Sequence, residues 1–391
     1  MQTRLRSLLY IACCCLLLAS CVEPYAPDVL NSPSRYLVVD GLISGNGVTT
    51  VKLSRTEHIS EESFPFLESR ATLLLEEEQG AQHSLQETTP GTYVSSSLSL
   101  DTSKKYRLFI RLATGQEYAS EFVDVKQTPP IDEVGWQALD NELQIYVNSH
   151  DPQNATHYYR WEYEATWAYT AAFQAVIRYD EANGTIVPRT PLDEDIYRCW
   201  RTEHSTDIKL GTSARLSQDV ISAYPILTLP ADSEELRIKL SVLVKQYGLT
   251  QEAYQYWEAL RKNTESIGTL FDPLPSQLTG NVHNLANPDE PVIGYVGASA
   301  VQEKRVFVNR DELPESWRKF SPTCPIDSLL PVPPNETFQD LVGRFRNGSY
   351  MPVSIIYAPV GFPAPIGYMG ASQVCVDCRT RGTNVKPVFW E

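Results

Sequence analysis

The chain has 391 residues, of which 42% are hydrophobic and 21% are charged, a composition that excludes an intrinsically disordered protein. Its formal net charge of −15 argues against nucleic acid or an anionic lipid surface as a partner. A chain of this length has room for about two or three domains with buried cores.

The N-terminus has the pattern of a bacterial secretion signal. Arg4 and Arg6 form a basic start, and an apolar stretch from Leu8 to Ala19 follows. That stretch is shorter than the roughly 20 residues that a membrane-spanning helix needs. Two small residues precede Cys21, an order typical of a lipobox, in which the new N-terminal cysteine carries acyl chains such as palmitate. We therefore predict a signal peptide at 1–20 and lipidation of Cys21, with an ordinary cleaved signal as the alternative.

A tether and a first β domain are predicted next. Residues 21–34 hold three prolines and little apolar pattern, which is typical of an extended linker. From Tyr36 to Val125, apolar and polar residues alternate in about seven or eight short runs separated by turns. That number and spacing of strands favour an immunoglobulin-like β-sandwich over 35–127. Thr128-Pro129-Pro130 then breaks strand pairing and marks the boundary.

A larger β-rich domain is predicted over 131–391. Further runs alternate with period two, and one clear helix is predicted after Thr250, a good N-cap residue. The apolar stripe of this helix consists of Ala253, Trp257 and Leu260. Proline and glycine are frequent from Ser321 onward, so we expect the tail to wrap the body in loops tied down by cysteines.

Four cysteines remain once the signal and the lipid site are set aside, namely Cys199, Cys324, Cys375 and Cys378. In an oxidising compartment four thiols predict two disulfides, and the sequence cannot rank the three possible pairings. The close pair Cys375-Val376-Asp377-Cys378 leaves a redox motif open, although its flanks have the character of a loop rather than of a helix N-terminus. A metal site is the third alternative, but the other two cysteines are isolated.

The sequence offers no recognisable catalytic motif. Its six histidines are scattered, and neither a metalloprotease motif nor a nucleophile elbow nor a phosphate-binding glycine loop is present. Glu162 and Glu164 lie two apart on a predicted strand and therefore on one face, an arrangement that also suits a solvated strand face. We predict a non-enzymatic protein with no catalytic residues, metal or cofactor.

The aromatic residues are candidates for a binding surface. The chain holds 21 Tyr and 7 Trp, and such rings bind sugars and peptides and are favoured at protein interfaces. The same rings also pack the core of a large β-sandwich, so both interpretations stay open. If the aromatic residues bind a ligand, we expect them to form an exposed row, and the predicted ligand-binding residues are Tyr159, Trp161, Tyr163 and Trp167.

Several stretches together resemble a known family. They are residues 36–41, 129–132, 158–164, 199–202, 271–273, 279–281, 291–294 and 375–379, with the tail from Lys386 to Trp390. In combination they resemble the domain-of-unknown-function 4249 family over the mature chain. Its members are outer-membrane lipoproteins of Bacteroidetes that are often encoded beside TonB-dependent receptors.

The resemblance implies a location and a partner, since the family has no established activity. It implies an outer-membrane lipoprotein held only by its lipid anchor, as an accessory subunit of a TonB-dependent receptor complex for nutrient capture or complex assembly. Glu23 and Asp28 resemble acidic signals that favour the cell surface over the periplasmic face. The four mature cysteines correspond to those of the family, which favours a structural role. The alternative function is a stand-alone glycan- or peptide-binding surface lipoprotein.

Overall fold

The computed structural model describes residues 35–57, 66–265, 280–318, 324–332, 336–358 and 364–390, together with positions 278 and 334. The predicted signal peptide, Cys21 and the tether lie outside these residues. Within them the chain is mainly β with one long helix, which confirms the predicted fold class. None of the helices in this described part combines the length and the apolar character that crossing a membrane requires.

Eight strands form between residues 37 and 126, where the sequence alternates with period two. They are β1 (Leu37–Ser44), β2 (Val48–Arg55), β3 (Thr72–Glu77), β4 (Gln82–Thr89), β5 (Thr92–Ser97), β6 (Lys105–Arg111), β7 (Glu117–Ser120) and β8 (Val123–Lys126). Val51 and Leu53 of β2 are buried whereas Lys52 between them is exposed. This follows because successive side chains of a strand point to opposite faces.

Longer strands and the main helix follow. The strands before the helix are β9 (Ile131–Leu139), β10 (Glu142–His150), β11 (Tyr158–Thr170), β12 (Ile177–Asp180), β13 (Thr185–Pro188), β14 (Arg198–His204), β15 (Lys209–Thr212), β16 (Val220–Pro230) and β17 (Lys239–Gly248). Helix α1 (Gln251–Glu265) begins as predicted, because the Thr250 hydroxyl accepts a hydrogen bond from the Ala253 N–H at 3.1 Å.

The last part of the chain adds short strands and two short helices. They are β18 (Val282–Asn284), β19 (Val292–Ile293), β20 (Gly297–Ser299), β21 (Val301–Asn309), β22 (Asp327–Leu329), α2 (Phe338–Gly343), β23 (Tyr350–Tyr357), β24 (Pro365–Ser372) and α3 (Gln373–Val376). Short 3-10 helices lie at Glu234–Leu236, Arg310–Glu312, Glu315–Arg318 and Cys378–Thr380.

The first sheet combines β1–β8 with three strands from much later in the chain. β20 pairs in parallel with β1 and β8, β19 in parallel with β1, and β18 antiparallel with β7. Because β8 also pairs with β6, the strand order β6–β3–β4–β5–β2–β1–β20–β8 returns to its start. Residues 282–299 were predicted within the second domain, yet the structure places their strands in the first sheet. Parallel strands are joined by long crossover connections, so no short turn in the sequence indicates that these strands pair. The immunoglobulin-like arrangement of 35–127 stays a prediction.

The main core of the second part lies between two sheets. One has the order β14–β11–β17–β21 with β15 beside β11, and the other has the order β16–β10–β9. Buried residues from both sheets form one cluster, in which Trp161 of β11 and Ile145 of β10 are fully buried. β11 is therefore an inner strand whose aromatic face is covered by a second layer.

The C-terminal tail contains regular structure that the sequence did not predict. β22, β24 and β23 form a three-stranded sheet where loops were expected. Two prolines lie where a strand tolerates them, Pro365 as the first residue of β24 and Pro352 at a shift in register. Proline content alone therefore did not exclude strands here.

One disulfide connects the tail to the body, and a second joins two parts of the tail. Cys199 pairs with Cys378, and Cys324 pairs with Cys375. The predicted disulfides are thereby confirmed, and the pairing that the sequence left open is assigned. The close pair in the tail forms no bond of its own, because each of its cysteines is bonded to a distant partner.

Candidate functional site

A cleft of about 900 Å³ lies between the first sheet and the β11–β17–β21 sheet. The hairpin of β1 and β2 forms one wall, and the outward face of the second sheet forms the other. A hollow of about 390 Å³ continues the cleft toward α1 and residues 204–208. Volumes of this size are typical of sites for small ligands or for a segment of a partner.

The hairpin is fixed over the cleft by the side chain of Asn46. Its Nδ2 donates to the Val301 carbonyl at 3.0 Å, and the Val301 N–H donates to its Oδ1 at 2.8 Å. The Gly45 N–H donates to the Ser299 carbonyl at 2.9 Å. Since β20 belongs to the first sheet and β21 to the second, these bonds hold the two walls in one geometry.

The floor of the cleft is the charged face of β11. Glu162 forms an ion pair with Arg160 and accepts a hydrogen bond from the Tyr247 hydroxyl at 2.8 Å. The Arg160 guanidinium lies 3.9 Å from the centre of the Trp257 ring on α1, where a cation–π contact forms. Burial and the Glu162 carboxylate raise the pKa of Tyr247 above its usual range, so its hydroxyl keeps its proton and remains a donor.

A second ion pair lies beside the first. The Lys245 Nζ is 2.6 Å from the Glu164 carboxylate and 3.8 Å from that of Glu303. Burial raises the pKa of Glu164, but the hydrogen bond and charge of Lys245 outweigh burial and hold this pKa below 4.5. The floor thus alternates acid and base, and these charges already have partners within the protein. Such a surface suits non-covalent recognition of polar groups.

The Glu164–Lys245 pair predicts a pH-dependent contribution to stability. Because the pKa of Glu164 is lower in the folded state than its ordinary 4.5, its contribution is present above pH 4.5 and is lost as the pH falls through the folded value. The variant Glu164→Gln should lower the free energy of unfolding by about 1 kcal/mol at pH 7, and this difference should shrink below pH 4.5. Urea unfolding measures it. Glu203→Gln on β14 is the matched control, and an identical pH response of both variants would contradict the prediction.

The aromatic residues predicted to bind ligand lie on the other face of β11. Tyr159 and Trp161 are 0% exposed and Trp167 is 2% exposed. Tyr163 is partly buried against the same core, and it is the one of the four that also lines the 390 Å³ hollow. This corrects the expectation of an exposed aromatic row, because the β16–β10–β9 sheet covers that face. The structure does not bring these four rings together in an accessible site.

Sequence reasoning missed most of the cleft. Asp40 and Lys52 face each other across the β1–β2 hairpin and line both hollows with exposed side chains. The turn at Gly45–Gly47 predicts that pairing, but no signal in the sequence places the hairpin opposite β11. Trp257, predicted in the apolar stripe of the helix, packs beside the cluster that contains Ala253 and also contacts Arg160 at the edge of the cleft.

Fold and cleft together define a mainly β, disulfide-linked protein whose candidate site is a groove of paired charges between two sheets. The protein-family comparison agrees with the resemblance noted above. Residues 22–305 match the model described as Domain of unknown function (DUF4249), and the chain belongs to this family. The match includes every residue that lines the cleft and ends before Cys324. No curated protein matches the chain.

Proposed function

We propose that the protein is a non-enzymatic outer-membrane lipoprotein that acts as an accessory subunit of a TonB-dependent receptor complex, in nutrient capture or complex assembly. The lipobox at Cys21 supports the lipid anchor, and the proline-containing tether spaces the folded body from the membrane. The cell surface is the proposed side. The observation that carries a binding role is the cleft between the two sheets.

The chemistry of the cleft supports recognition rather than catalysis. Glu164 has a lowered pKa and an ammonium partner at 2.6 Å, which makes it a poor general acid. The Glu162 carboxylate is occupied by Arg160 and Tyr247. Groups held in this way keep fixed positions, as a complementary binding surface requires.

Exposed charges at the rim supply the groups that a partner would meet first. Asp40, Lys52 and His204 are exposed and line both hollows. Mutation of a rim charge mainly changes association, whereas the paired charges of the floor fix orientation. Reversing the charge of Lys52 therefore tests the role of the cleft with least disturbance of the fold.

The second candidate function is a stand-alone surface lipoprotein that binds a peptide or glycan. The aromatic rings available to it are Trp257 and Tyr163, which are partly buried and line the hollow that continues the cleft. Trp257 is partly exposed and stacks on Arg160, an arrangement that can pack against an extended ligand.

Affinity purification of the full chain from native outer membrane in mild detergent tests the proposal. We expect a TonB-dependent receptor to co-purify with the wild type, and Lys52→Glu to reduce its recovery by about tenfold if the cleft makes the contact. Lys105→Glu is the matched control, since it reverses an exposed lysine of the same sheet outside the cleft.

Each outcome of this experiment decides between the two functions. Absence of any receptor would reject the accessory-subunit role, and binding of peptides or glycans by the isolated protein would then favour the stand-alone role. If the receptor is recovered equally with both variants, the complex exists but its contact lies outside the cleft. Metabolic labelling with a fatty-acid probe, lost in Cys21→Ala, checks the anchor separately.

A further inference from the structure

A second pocket, of about 450 Å³, has three arginines in its wall. It lies where the end of β11, the start of β17 and the disulfide-linked tail meet, and it shares no lining residue with the cleft. The arginines are Arg237, Arg310 and Arg381, and the acidic residue among them is Glu234. The family comparison and the proposed function assign no role to this pocket.

Two of the three guanidinium groups lie at one carboxylate, and the third is bonded to the backbone beside them. Arg381 Nη1 lies 2.8 and 3.0 Å from the two oxygens of Glu234, and Arg237 Nη1 lies 3.7 Å from one of them. Arg310 Nη1 donates to the backbone carbonyl of Arg237 at 3.1 Å. The Arg381 guanidinium also lies 4.7 Å from the centre of the Tyr169 ring. Packing and hydrogen bonds therefore position the arginines before any ligand arrives.

The charge of this wall is opposite to that of the whole protein. Three arginines against one glutamate leave a formal excess of two positive charges, in a chain whose net charge is −15. Glu235 and Asp311 are neighbours in sequence but do not line the pocket. Burial lowers the pKa of Arg237, the charges of Glu234 and Glu235 raise it, and the charges of Arg381 and Arg310 lower it. An anion in the pocket would offset both the burial and the mutual repulsion.

We propose that this pocket binds a dianionic oxyanion group, of phosphate or sulfate type, carried by a small ligand. Guanidinium groups match such oxygens with paired hydrogen bonds, and the wall holds more arginines than carboxylates. Glu234 positions Arg381 and Arg237 and at the same time competes with the ligand for them. This inference stands independently of the cleft and of the receptor complex.

Calorimetric titration of the full-length protein with inorganic phosphate, and separately with sulfate, tests the proposal at constant ionic strength set by chloride. We expect saturable binding of either dianion and weaker binding of acetate. Arg310→Gln, at an exposed position, should weaken binding about tenfold, because one charge-assisted contact is lost. Glu234→Gln should strengthen it, because the internal competitor loses its charge.

Arg111→Gln is the matched control, because it removes an exposed arginine from β6 outside the pocket. Circular dichroism and unfolding curves identify any variant that fails to fold, and Arg310→Gln still decides the question if Glu234→Gln fails. The proposal is overturned if phosphate and sulfate give no more heat than chloride. It is equally overturned if Arg310→Gln and Arg111→Gln change the binding to the same extent.

Discussion

Replacing Cys199 and Cys378 together by alanine should lower the free energy of unfolding by about 5 kcal/mol. The bond joins residues 179 apart, and the entropy of closing a loop in the unfolded chain grows with the logarithm of its length. Cys324 and Cys375 are 51 apart, for which the same relation gives about 4 kcal/mol. Loop length alone thus ranks the two bonds.

Packing increases the difference between the stability losses expected from removing the two disulfides. Cys199 and Cys378 are fully buried in the main core, and the Tyr169 hydroxyl donates to the Cys378 carbonyl at 2.7 Å. The Cys378 N–H donates in turn to the Ile196 carbonyl at 2.8 Å. Loss of this disulfide frees a segment that satisfies buried polar groups, whereas Cys324 is only partly buried beside a smaller cluster.

Denaturant unfolding followed by tryptophan fluorescence measures both effects. The double variant Cys324→Ala/Cys375→Ala is the matched control, because it also removes two sulfurs and one cross-link. Reduced wild-type protein should be less stable than either variant, since it lacks both bonds. Equal midpoints for the two double variants, or the reverse order, would contradict the ranking by loop length and burial.

Local pattern predicted the elements of this fold better than it predicted their partners. Alternation with period two identified the strands between 37 and 126, and the cap at Thr250 identified the helix. The cysteine pairing could not be predicted, because loop entropies change slowly with length and make the three choices similar. It is decided by tertiary contacts such as the bridge between Trp200 and Thr383, which brings the tail beside β14.

The two faces of β11 show why the site was only partly predictable. The sequence places Arg160, Glu162 and Glu164 on one face and the aromatic rings on the other, and the structure agrees with that alternation. Which face a second layer covers depends on how other segments of the chain pack against the sheet. Because β10 and its neighbours cover the aromatic face, the charged face is left to form the cleft. Lys245, the ion-pair partner of Glu164, comes from β17, far along the chain.

Trp161→Ala is the variant that separates a core role from a binding role for these aromatic residues. The ring stacks on Tyr159 at 5.6 Å and on Tyr224 at 4.5 Å, and its Nε1 donates to the Gln246 Oε1 at 2.8 Å. Truncation leaves a cavity and a buried acceptor without a donor, so we expect a loss of about 3–5 kcal/mol in the free energy of unfolding.

Two further variants make the measurement specific. Trp161→Phe keeps most of the ring but removes the donor to Gln246, and we expect a smaller loss of about 1–3 kcal/mol. Trp257→Ala removes the partly exposed ring that stacks on Arg160 in the cleft, so it should cost less stability than Trp161→Ala while reducing recovery of the cleft's partner. The opposite result, a stable Trp161→Ala that loses the partner, would place the binding surface on the aromatic face of β11, because a ring needed only for packing cannot be removed without a loss of stability.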